Sequence, residues 1–125
     1  MAEPAPIGPD AVIAPGLATL ASEQSQPVIY DRPVGLTLLF QDPASGAEHY
    51  LVRYPAGMVA QRHTHTVAQT IIVLKGRLRA NGHILPPGSY CHFPAHSVMH
   101  HEPAPDEDCL FVTIFHGPFD VQPAE

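Results

Sequence analysis

The chain has 125 residues, 45 % of them hydrophobic, which is enough apolar material for one domain around a single core. Charged residues make up 14 %, and 6 Lys+Arg against 12 Asp+Glu leave a net charge of −6 with no basic stripe, which argues against a nucleic-acid partner. No run approaches the ~18 apolar residues of a membrane span, and no basic region followed by an apolar stretch opens the chain, so a cytoplasmic protein with Cys91 and Cys109 reduced is expected.

Residues 1–27 are rich in Ala and Pro and read as an N-terminal arm. Its apolar stretch from Val12 to Ala21 suits a short helix or, better, an arm draped over the domain or over a partner subunit. From Val28 the grammar changes to strands, with Val28–Tyr30 short and apolar and Val34–Phe40 β-rich. Turn chemistry at Gln41–Gly46 separates these from a strand at Glu48–Tyr54. After the corner Pro55-Ala56-Gly57 comes a strand carrying His63 and His65. Gln69–Leu74 is β-branched and apolar on both faces, the pattern of a central strand. Asn81-Gly82, flanked by Arg77–Ala80 and His83–Leu85, is the strongest hairpin signal in the chain. Ser89–Phe93, Val98–Glu102 and Cys109–Phe115 complete the strands, and residues 118–125 form a C-terminal tail. About nine short strands without an amphipathic helix predict an all-β barrel or sandwich over residues 28–117.

The chemistry concentrates around His63-Thr64-His65. On a strand, residues i and i+2 share a face about 6–7 Å apart, so the two imidazoles can grip one divalent ion. Gln69, four residues on, offers an amide oxygen to the same point, or a structural amide bonded to backbone. A second cluster, His96, His100 and His101, lies about thirty residues further along and can complete a ligand set.

These residues resemble the cupin superfamily, whose first motif runs G-x5-H-x-H-x3,4-E-x6-G. Gly57, His63, His65, Gln69 in the glutamate's place, and Gly76 match its spacing. The second motif, G-x5-P-x-G-x2-H, is matched by Gly88 and Pro94, with His96 where glycine is usual and Met99 where the histidine is expected. The resemblance covers roughly residues 34–116 and implies a double-stranded β-helix, or jelly-roll, barrel. It further implies a metal held by His63, His65, a histidine of the second motif, and Gln69 in the glutamate's position. His100 is preferred to His101 because it lies closer to the family's spacing, and strand alternation allows only one of the pair to point inward.

Glutamine in place of glutamate makes the ligand set neutral and leaves a bound ion at about +2, which favours anionic substrates, thiolate or hydroxide. The implied metal is Fe, Mn, Ni or Zn. Three-histidine iron sites occur in the thiol dioxygenase branch of the cupins, and the chain resembles that pattern in its ligands alone. Strand parity adds Tyr50, Arg53, Tyr90, His92 and Phe115 as pocket candidates, with Arg53 suited to pairing a substrate carboxylate. His49, His83, His96 and His116 read as solvent or strand-end residues. The expected function is a small metalloenzyme (dioxygenase-, isomerase- or lyase-like) acting on a small organic molecule, its alternatives being a non-catalytic metal- or ligand-binding sensory module and a barrel with a vestigial site. The expected partners are a small molecule and a second copy of the chain in a homodimer, with neither nucleic acid nor membrane.

Overall fold

The computed structural model describes residues 5–7 and 11–124, so the opening of the Ala/Pro-rich arm and residue 125 lie outside the described residues. In chain order the strands are β1 (Ala5–Ile7), β2 (Ala11–Ile13), β3 (Glu23–Ser25), β4 (Val34–Gln41), β5 (Glu48–Tyr54), β6 (His63–Thr64) and β7 (Gln69–Lys75). They continue as β8 (Leu78–Ala80), β9 (His83–Leu85), β10 (Tyr90–Phe93), β11 (His101–Pro103), β12 (Cys109–Phe115) and β13 (Gln122–Pro123). A 3-10 turn at Leu17–Thr19 is all that forms where a short helix was one expectation. No helix among the described residues is long and apolar enough to cross a membrane.

Six strands form the main sheet in the order β10-β7-β12-β5-β4-β3, and β11-β8-β9 form a smaller one. β7 lies between β10 and β12, as its two-sided apolar sequence predicted. Alternation along the main sheet sends Val52, Tyr54, Ile71, Val73 and Phe111 to one face, where Leu78 and Ala80 of the smaller sheet and Met58 and Met99 of the connecting loops pack against them. Among the described residues the ladders do not close on themselves; the strands form two facing layers around one core, consistent with the jelly roll expected from the sequence. Val28–Tyr30, expected as a strand, contributes only a bridge from Tyr30 to Ala60.

The opposite face of the main sheet is also apolar, because Leu51 and Leu110 alternate with the core residues. The arm covers it. Leu20, Leu17 and Ala14 pack on Leu51 and Leu110, and the Ala21 carbonyl accepts the Thr37 hydroxyl at 2.7 Å. β3, within the stretch read as arm, pairs with β4 through Glu23↔Leu36 and Ser25↔Val34. Residues 118–125, read as a tail, contribute β13, which pairs with β6.

Turns fall where the sequence placed them. Asn81 and Gly82 both adopt positive φ (46° and 84°), the geometry of the tight hairpin joining β8 and β9. Gly76 at φ 71° ends β7 against the backbone of Asp108, and a Cβ there would overlap that carbonyl. Gly76→Ala should therefore cost roughly 1–3 kcal/mol in backbone strain alone, with the collision added. Gly82→Ala, with nothing within 4 Å of its would-be Cβ, should cost only the strain. Equilibrium denaturation of the two variants measures the difference.

Candidate metal centre

Three histidines meet inside the molecule: His63, His65 and His101, each contributing one ring nitrogen, all within 4.8 Å of one another. They are 0 %, 3 % and 2 % exposed. His63 opens β6, whose backbone pairs with Met99 on one side and with Pro123 on the other. The i, i+2 relation puts the His65 ring 5.0 Å from that of His63, though β6 ends at Thr64. His101 opens β11, and its ring lies 4.8 Å from that of His63. The next residue fixes β11: the buried Glu102 carboxylate accepts from Arg79 at 2.6 Å and from the Ala60 backbone N–H at 3.1 Å.

His100, the residue preferred from motif spacing, does not join the cluster. Its Nε2 donates to the Ala60 carbonyl at 2.9 Å, and its backbone N–H donates to Asn81. Alternation decides the pair: Met99 faces the core, His100 faces out and His101 faces in.

The hydrogen bonds of His63 and His65 specify their tautomers. His63 Nδ1–H donates to the Gln61 carbonyl at 2.9 Å, and His65 Nδ1–H donates to the Asp120 carbonyl. A carbonyl can only accept, so Nδ1 carries the proton in both rings and Nε2 keeps its lone pair. His101 Nδ1 lies 2.8 Å from the Tyr54 hydroxyl, which is in turn 2.5 Å from the Tyr30 hydroxyl. Burial pushes the Tyr30 hydroxyl up to about 12 and that of Tyr54 well above its ordinary range, so both stay protonated.

Gln69 opens β7 on the same inward face, 2 % exposed. Thr113 Oγ1 donates its single proton to the Thr70 carbonyl, so toward Gln69 it can only accept, and it takes Nε2–H at 2.9 Å. The amide oxygen is thereby turned away from Thr113. Among the described residues four buried polar atoms then lack any hydrogen-bond partner: Nε2 of His63, His65 and His101, and Oε1 of Gln69. Buried polar atoms without partners each cost about 1–3 kcal/mol, and adjacent orphaned donor atoms are what a cation satisfies. The residues fit a divalent metal.

A cavity of about 110 Å³ adjoins the cluster, touching His65, Gln69 and His101. Apart from Ser25 and Thr113, its remaining wall is aromatic and aliphatic, including Tyr30, Tyr50, Val52, Phe111, Phe115 and Phe119. Among the described residues no carboxylate, lysine or arginine lines it. Of the pocket candidates, Tyr50 and Phe115 face this space. Arg53 does not: it lies on the opposite face and donates to the Ala18 carbonyl of the arm at 3.2 Å. Tyr90 is exposed on the edge strand, and His92 sits on the outer face with His116, both bonded to the Thr70 hydroxyl. His96 adopts φ 67° where the family motif has glycine, and its N–H donates to the His65 carbonyl. The sequence reading missed Tyr30 and Tyr54; inward parity on β5 identifies Tyr54, while Tyr30 sits in irregular chain that carries no such signal.

Burial pushes His63 down to about 4, and it lowers His65 and His101 as well, His101 further by the neighbouring rings. A histidine whose folded pKa is depressed contributes stability that is complete above the unfolded value of 6.5 and is lost as pH falls toward the folded value. The metal-free protein should thus lose stability between pH 6.5 and about 4, and His63→Gln should flatten that decline. Thermal melts across the window check it; a profile equally steep in the variant would contradict the assignment.

Known structures share this architecture. A cupin-like protein from Thermotoga maritima aligns over 83 % of this chain and 85 % of its own, with 21 % identity and a TM-score of 0.72. An acetylacetone dioxygenase from Acinetobacter johnsonii aligns over 84 % of this chain and 72 % of its own, with 16 % identity and a TM-score of 0.70. The polyketide cyclase RemF from Streptomyces resistomycificus aligns over 83 % and 80 %, with 15 % identity and a TM-score of 0.68. At such identities the likeness is one of fold. No functionally curated protein matches the chain by sequence. The model of the ChrR cupin-like domain, however, matches residues 23–120, from β3 through the segment that reaches His65, and the protein belongs to that family within the cupin superfamily.

Proposed function

We propose that the protein is a metal-dependent cupin enzyme of the oxygenase type acting on a small organic molecule, with isomerase or lyase chemistry as variants of the same reading. The observation that carries it is the meeting of three partnerless histidine nitrogens beside a cavity that the buried, partnerless Gln69 amide also lines. His63, His65 and His101 would hold the ion through Nε2, and Gln69 through Oε1. A transition metal in such a nitrogen- and oxygen-donor set polarises a bound oxygen function and, if it is iron, opens chemistry with dioxygen.

The protein's own groups would do the rest. The Gln61 and Asp120 carbonyls and the Tyr54 hydroxyl orient the three rings, the usual means by which outer partners raise ligand basicity. The aromatic wall excludes water and selects a compact, mainly apolar substrate. Tyr30 and Tyr50 supply hydroxyls at the wall, the latter bonded to Glu48 Oε1 at 2.5 Å. Nothing in the wall would neutralise a substrate carboxylate, so an anionic group would have to sit on the metal itself.

One observation favours a second reading. The cavity presents no carboxylate, imidazolium or amine positioned for proton transfer, and burial raises the tyrosines. A module that binds metal or ligand without turnover, and acts through another protein, needs none.

Elemental analysis of gently purified protein should find about one transition-metal ion per chain. His63→Ala and His101→Ala should each weaken binding by more than the ~10–100-fold typical of losing an outer partner, whereas His100→Ala should retain the ion. Oxygen consumption with Fe(II), and turnover with Mn, Ni and Zn, should be followed over a small-molecule panel that includes acetylacetone. Loss of metal in the His100 variant with retention in the His101 variant would sink the ligand assignment, and tight binding without turnover would favour the second reading.

A further inference from the structure

The three rings do not obtain their outer partners alike. His63 bonds to a carbonyl two residues before it and His101 to a core tyrosine, but His65 depends on the last residues of the chain. After β12 the chain runs back along residues 62–68, fastened at each step. His116 N–H donates to the Ala68 carbonyl at 2.9 Å, Gly117 passes where a Cβ would meet Val67 at 2.6 Å, and Phe119 N–H donates to Glu48 Oε2 at 2.9 Å. Beyond Asp120, Gln122 and Pro123 pair with Thr64 and His63, and Ala124 N–H donates to the Arg62 carbonyl at 2.8 Å.

Asp120 holds two successive residues of the histidine motif at once. Its carboxylate Oδ1 accepts from the Thr66 backbone N–H at 2.9 Å and from the Thr66 hydroxyl at 3.0 Å, while its own carbonyl accepts His65 Nδ1–H. The side chain thus bonds the neighbour of His65 while the main-chain oxygen of the same residue bonds His65 itself. Phe119 packs beside the same ring, 5.7 Å from His65 and 4.8 Å from Phe115, and lines the cavity.

We propose that Asp120 is a positioning residue for the metal centre: by clasping Thr66 it holds the C-terminal segment so that the Asp120 carbonyl fixes the His65 ring with Nδ1 protonated and Nε2 free to ligate. The inference rests on the metal reading for its effect on affinity, but the tautomer it predicts exists in the metal-free protein.

The test uses the full-length, 15N-labelled chain. Long-range 1H–15N spectra of the metal-free protein at neutral pH read the His65 tautomer, and chelator competition reads zinc affinity. In the wild type His65 should be the Nδ1–H form. Asp120→Ala should give a mixture of tautomers and weaken zinc roughly tenfold to a hundredfold, the range for loss of an outer partner. Asp120→Asn keeps an oxygen that accepts both Thr66 bonds, and should restore the tautomer and bring affinity to within about threefold of wild type. Should Asp120→Ala fail to fold, Thr66→Val, which removes the hydroxyl and keeps the backbone donor, should show the same shift in weaker form. An unchanged tautomer in the alanine variant (in Thr66→Val, if alanine does not fold), or an asparagine variant as impaired as alanine, would overturn the proposal. If the wild type binds no zinc, the metal reading fails while the tautomer still decides the role of Asp120.

Discussion

Three ring nitrogens and one amide oxygen, all buried and none with a hydrogen-bond partner, set the terms for the rest of this molecule. A fold ordinarily avoids such an arrangement, because each group surrenders its water and receives nothing in return. Here the surrounding structure enforces it. Each ring is anchored at its other nitrogen and Gln69 at its amide nitrogen, and the anchors of His63, His65 and Gln69 leave a lone pair facing inward. Depressed histidine basicity follows from the same burial, so the rings stay neutral and available where a typical surface imidazole would be partly protonated.

The architecture serves that constraint in two layers. Inward alternation on β5, β7 and β12 provides the core and then, toward one end, the polar set Gln69, Thr113 and Tyr50 together with Phe115. Outward alternation would leave Leu51 and Leu110 in water, and the N-terminal arm covers them. The two chain ends therefore do different work. The arm completes a hydrophobic layer on the far side of the sheet, whereas the C-terminal segment reaches the histidines.

Much of this was legible in the sequence because period-two alternation is strong in β5, β7 and β12, and because turns at Asn81-Gly82 and Gly76 need residues of a special kind. The choice between His100 and His101 shows where such reading fails. Counting from the family's motif, His100 lies one residue beyond Met99 and His101 two. A strand preserves facing over two residues and reverses it over one, so the nearer histidine faces away from the cluster and the farther one enters it. Arg53 failed the same way, since it cannot share a face with Tyr50 and Tyr54 three and one residues away. The roles of Tyr30, Phe119 and Asp120 were not legible, because irregular segments carry no periodicity and their contacts join residues distant in the chain, 24 positions apart for Tyr30 and Tyr54 and 54 for Asp120 and Thr66.

Replacing glutamate by Gln69 has an effect that depends on Thr113. A free amide could turn either end toward the site, and an N–H directed at a cation would repel it. Thr113, its own proton committed to the Thr70 carbonyl, accepts the Gln69 N–H and removes that freedom. The substitution thus alters charge while keeping an oxygen donor in place. An ion seated here would retain its full double charge in a space walled by aromatic and aliphatic side chains, where charges are poorly screened. Discrimination among ligands would then rest on two things the chain controls directly: the shape of the cavity and the negative charge a ligand brings to the metal.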